Sequence, residues 1–97
     1  MSQFAIALEA LGADSVEINQ LRNIAWYPAR YPCILVWGSG TTAVERCVKK
    51  GWVRVVRKYP AGKNCEEWMC ECTPAGYKVL AAAQLAKYHD QQNGLMP

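Results

Sequence analysis

Apolar residues recur with helical spacing at the start of the chain. Phe4, Ala7, Leu8 and Leu11 fall at i, i+3, i+4 and i+7, which predicts a helix over residues 3–11 with one apolar stripe. Gly12 is a natural stop. Asp14 or Ser15 then caps a second helix, and Glu17 stands three residues after Asp14 in a capping-box arrangement. Val16, Ile18, Leu21, Ile24 and Ala25 form its stripe, and Pro28 ends it.

The helical period then lapses. Trp26, Tyr27, Tyr31 and Trp37 surround Pro28 and Pro32. Cys33-Ile34-Leu35-Val36-Trp37 is an apolar run that reads equally as a buried strand or a short core helix. After Gly38-Ser39-Gly40 the helical spacing returns from Thr41 to Lys50, capped by Ser39 or Thr41. Val44, Cys47 and Val48 face inward there, while Thr42, Glu45, Arg46 and Lys49 point elsewhere. Gly51 supplies a left-handed stop. Trp52–Tyr59 is rich in β-branched and aromatic residues, residues 60–64 hold turn formers, and Cys65–Cys72 returns. The expectation is a hairpin with a five-residue loop. Thr73 caps, and Pro74 opens, a last helix reaching about Asn93-Gly94, with Tyr77, Leu80, Ala81, Leu85 and Tyr88 as its stripe.

Composition narrows the class without changing that outline. At 97 residues, 52% of them hydrophobic and 20% charged, the chain is expected to form one globular domain, α+β by the elements above. It shows no basic leader and no apolar run near the ~18 residues of a membrane span, so a cytoplasmic location away from membranes is expected. Five cysteines are an odd number and predict thiols rather than a disulfide framework.

Charge adds a sharper feature. Arg46, Lys49, Lys50, Arg54, Arg57, Lys58 and Lys63 lie in one stretch that holds no acid, giving +7 there and −4 over the remainder. A polyanion would meet a basic strip; the plainer alternative is a solvated helix end followed by an exposed hairpin.

The order of helix, glycine, basic hairpin and Thr-Pro-x-Gly helix resembles the winged helix-turn-helix regulators of MarR-like and PadR-like type. The resemblance rests on Thr41-Thr42-Ala43-Val44-Glu45-Arg46-Cys47-Val48-Lys49-Lys50-Gly51-Trp52-Val53-Arg54 and on Cys72-Thr73-Pro74-Ala75-Gly76-Tyr77, within about residues 41–80. It implies a winged helix-turn-helix with three N-terminal helices, a β-hairpin wing over 52–72 and a long C-terminal helix over 74–93. It further implies a non-enzymatic transcriptional regulator that binds duplex DNA and needs no cofactor. One departure is visible: Tyr31-Pro32-Cys33-Ile34-Leu35-Val36-Trp37 stands where that family has a regular supporting helix.

The expected DNA contacts are Thr41, Thr42, Arg46, Lys49 and Lys50 on the helix and Arg54, Arg57, Lys58 and Lys63 on the wing. A helix enters a major groove, and cations track phosphates. The seam Tyr77, Leu80, Leu85 and Tyr88 is expected to cover the core or to pair with a second copy, as in related dimers. The rival reading is a protein-interaction module or inhibitor of phage-like kind; its tryptophans Trp26, Trp37, Trp52 and Trp68 either pack in the core, Trp52 and Trp68 pinning the hairpin to the helices, or form an exposed aromatic patch for a partner. Cys65, Cys70 and Cys72 are weighed as metal ligands or redox sensors, but on a regular strand Cys65 faces away from the other two. Trp68, Cys70 and Cys72 are expected as the core-facing row. His89 and the scattered carboxylates form no visible catalytic set.

Overall fold

The structure is a computed structural model that describes residues 2–26, 33–38, 40–92 and 94. Tyr27, Pro28, Tyr31, Pro32, Ser39 and Asn93, to which the sequence assigned a stop, aromatic flanks, a cap and a helix end, lie outside the described residues. The elements are α1 (Gln3–Leu11), α2 (Ser15–Trp26), β1 (Cys33–Val36), α3 (Ala43–Lys49), β2 (Val53–Gly62), β3 (Cys65–Cys72) and α4 (Pro74–Gln92). The strands form one antiparallel sheet in the order β1-β3-β2.

Among the described residues the fold is therefore α+β with four helices, and the expected order of three N-terminal helices ahead of the sheet is corrected. Two helices precede β1 and the third follows it. The ambiguous run 33–36 is a strand because its backbone pairs with β3, Ile34 opposite Trp68 and Val36 opposite Glu66. Its burial alternates accordingly: Val36 is buried and Leu35 exposed.

Helix ends follow the sequence closely. Asp14 and Glu17 close a reciprocal capping box, each backbone N–H donating to the other's carboxylate at 2.9 and 2.8 Å. Gly12 and Gly51 both adopt left-handed φ, at 68° and 79°. The cap of α3 is Thr42 rather than Ser39 or Thr41, and its hydroxyl accepts from the Glu45 N–H while donating to the Glu45 carboxylate. The hairpin turn is tighter than expected. β2 runs on to Gly62, which pairs with Cys65, so only Lys63 and Asn64 bridge the strands. Pro60 is accommodated on β2 because β2 is an edge strand, with a register irregularity next to that proline.

The core lies between the helices and one face of the sheet. It contains Ile18, Leu21 and Ile24 of α2, Val36, Val44, Cys47, Trp52, Val53, Trp68, Cys70, and Val79, Leu80 and Ala83 of α4. Val16, assigned to the α2 stripe, is exposed instead. α1 is held by its N-terminus: the fully buried Asp90 of α4 accepts from Gln3 N–H at 2.7 Å and Phe4 N–H at 2.8 Å. That carboxylate satisfies two otherwise orphaned helical donors and meets the positive end of the α1 dipole.

Candidate functional site: the basic strip and the open sheet face

Glu17 organises the basic strip. Glu17 is 1% exposed, yet it meets two cations, Arg46 of α3 and Lys50 at the C-terminal cap of that helix. Lys50 Nζ donates to both of its oxygens, at 2.9 and 2.7 Å, and Arg46 Nε donates at 3.3 Å. Arg46 also pairs with Asp14 at 3.3 Å and donates to the Thr41 carbonyl. Lys50 further donates to the Gly12 carbonyl at 2.6 Å and lies 4.9 Å from the Trp52 ring centre. A carboxylate with three strong donors is stable when buried, and its partners are thereby held toward α2. The Asp14–Glu17 box is legible in the sequence; its recruitment of Arg46 and Lys50 is not, because it joins residues about thirty positions apart.

Three of the four hairpin cations are also engaged. Arg54 forms an ion pair with Glu71, its cross-strand neighbour. Lys58 sits 4.3 Å from the ring centre of its neighbour Trp68, and Arg57 lies 5.8 Å from that of Tyr59. Among the described residues, Lys49, Arg57, Lys58 and Lys63 have no carboxylate partner. The isolated +7 stretch thus changes character on folding. Asp14 and Glu17 stand beside α3, and Glu66, Glu67 and Glu71 lie on the strand paired with β2. The Thr42 hydroxyl, expected among the DNA contacts, is engaged by its own helix cap.

The sheet has two unlike faces. Pairing sets Val53 beside Cys72, Val55 beside Cys70 and Lys58 beside Trp68 on the core side. Trp68 and Cys70 are buried and Cys72 half-buried, as expected of the inward row. The opposite face carries Leu35 from β1, Glu67, Met69 and Glu71 from β3, and Arg54, Arg57 and Tyr59 from β2. Leu35 is 45% exposed, Arg57 and Glu67 are exposed, and Tyr59 and Met69 are half-buried. Arg57 and Glu67 lack an ionic partner among the described residues.

The tryptophans divide evenly. Trp52 and Trp68 are buried, whereas Trp26 is 74% and Trp37 59% exposed. On α4 the expected seam also divides. Leu80 belongs to the core and is unavailable to a partner, while Tyr77, Leu85 and Tyr88 remain exposed. Burial pushes the Cys47 thiol up to about 11, helped by the Glu17 charge, and burial alone does the same for Cys72. Both are protonated at neutral pH, which is the opposite of an activated nucleophile. Cys65 faces away from Cys70, and among the described residues no three His, Cys, Asp or Glu side chains are grouped to hold a metal ion. Among those residues, no helix is long and apolar enough to cross a membrane.

No family model matches the chain, and neither the curated proteins nor the solved structures contain a match to it.

Proposed function

We propose that this chain is a small winged-helix-type module that docks onto protein rather than reading DNA. Its supports are the hairpin that follows the short helix α3, the strand β1 added beside β3, and the glycine exit between α3 and β2. α3 is only seven residues long, and β1 occupies the place of the first helix of a helix-turn-helix pair. The observation that carries the docking reading is the fate of the cations. Arg46 and Lys50 are drawn onto a buried carboxylate and Arg54 onto Glu71, while Trp26, Trp37 and Leu35 are left at the surface. Phosphate binding at Arg46 or Lys50 would have to compete with Glu17, whereas exposed tryptophans are the residues most enriched at interface hot spots.

Duplex binding is the second reading, favoured by the four cations without carboxylate partners, Lys49, Arg57, Lys58 and Lys63. Four phosphate contacts give a log–log salt slope of at most about −3.6. Fluorescence anisotropy with a labelled duplex at physiological salt separates the two. The docking reading expects a dissociation constant weaker than about 10 µM, in the range of non-specific binding. Submicromolar binding lost on charge reversal at Lys49 and Lys58 overturns it in favour of a DNA-binding regulator.

A further inference from the structure

We infer that the open face of the sheet is self-complementary and that its partner is a second copy of this chain. The inference rests on the docking reading and names the docking partner. Arg57 lies opposite Met69, and Glu67 opposite Tyr59, so the four form a two-by-two block on adjacent strands. Arg57 and Glu67 occupy one diagonal of the block, Tyr59 and Met69 the other. Each member of the charged diagonal is exposed and lacks an ionic partner among the described residues, in contrast to the satisfied Arg54–Glu71 pair one row away.

A two-fold axis lying in the interface along the Tyr59–Met69 diagonal exchanges the two charges. Arg57 of each copy then faces Glu67 of the other, while Tyr59 meets Tyr59 and Met69 meets Met69. Such an isologous contact uses the same patch twice and closes on itself. The diagonal axis also makes the strands of the two sheets cross near right angles, which is one of the two packings that stacked sheets adopt. Leu35, beside Glu67 in the register, extends the apolar area onto β1. The area is small, so the dimer is weak and reversible, with a dissociation constant on the order of 10–100 µM.

The test is sedimentation equilibrium of the full chain over a concentration series, with wild type, R57E, E67R and an equimolar mixture of the two variants. Wild type is expected to dimerise. Each variant alone sets like charges against one another and weakens dimerisation at least tenfold. In the mixture, the carboxylate introduced by R57E meets the guanidinium introduced by E67R, so a heterodimer re-forms. Circular dichroism confirms that both variants fold; their positions are solvent-facing. A wild-type chain that stays monomeric to about 1 mM overturns the assignment of a second copy, and the duplex titration then decides the docking reading independently. A dimer that ignores both charge reversals but dissolves on L85E also overturns it, placing the contact on α4.

Discussion

Replacing Gly76 with alanine sets two physical effects against each other. Gly76 lies in the first turns of α4, where alanine ordinarily favours the helix by ~1 kcal/mol. A Cβ at this position would stand 2.8 Å from Cys72 Sγ, 3.0 Å from the Trp52 carbonyl carbon and closer still to the Trp52 oxygen. Ordinary contacts of this kind lie at 3.4–4 Å, so the sulfur must retreat by about 0.6 Å and the carbonyl further. The carbonyl has little room to yield. Trp52 is buried, its oxygen accepts from Thr73 N–H at 3.0 Å, and the Thr73 hydroxyl donates to Gly51 O at 2.7 Å. Overpacking against a fixed neighbour costs about 1–3 kcal/mol, and losing the Thr73 N–H bond adds ~1 kcal/mol. The net expectation is a loss of about 2 kcal/mol, or a fall in Tm of roughly 8–16 °C for a domain of this size. Thermal unfolding followed by circular dichroism measures it, with A75G as the control for propensity at the exposed neighbouring position. A G76A protein that melts at or above the wild-type temperature would refute the close approach of α4 to the Trp52 carbonyl.

Other consequences can be measured on the same protein. D90A removes the acceptor of two α1 donors; it should cost about 2–3 kcal/mol and accelerate amide hydrogen exchange at the start of α1, and unchanged exchange at Phe4 would disprove the tether. E17Q keeps a capping oxygen but cancels the charge facing Arg46 and Lys50; the loss should be about 1–3 kcal/mol, because both cations are a third exposed and partly rehydrate. If E17Q instead strengthens duplex binding more than tenfold, Arg46 and Lys50 are phosphate ligands held in reserve. The raised thiols set a pH dependence. Folding raises Cys47 and Cys72 from 9.0 to about 11, so their contribution is complete below pH 9 and is lost as pH climbs toward 11. Melting temperatures across that window should fall more steeply for wild type than for a C47A/C72A protein, and parallel curves would contradict the burial of these groups.

Much of the architecture could be read from the chain because it depends on local chemistry. The i, i+3, i+4 stripes marked α1 and α2; Gly12 and Gly51 needed left-handed φ; and Thr73-Pro74 opened α4 where it was expected, although of the stripe assigned to α4 only Leu80 is buried, the covered face running through Val79, Leu80 and Ala83 instead. The alternation along Cys65–Cys72 announced which row turns inward. Where propensity was silent, pairing decided. Cys33–Val36 is equally apolar as helix or strand, and only the ladder offered by β3 makes it β1. The turn at Lys63–Asn64 was set likewise, since register with β3 carried β2 through Pro60 to Gly62.

The candidate site shows the boundary most clearly. Sequence alone established seven cations without an intervening acid, and no local rule contradicts that count. Tertiary structure decided what they face. Asp14 and Glu17 come to α3 across the α2 packing, and Glu71 comes to Arg54 across the hairpin. It also decided which tryptophans are covered and left Arg57 and Glu67 on one open face. Helix stripes, caps and turns act over a few residues and so are written consecutively. Electrostatic neutralisation and burial depend on distance in space, and residues remote in the chain meet only after the elements have packed.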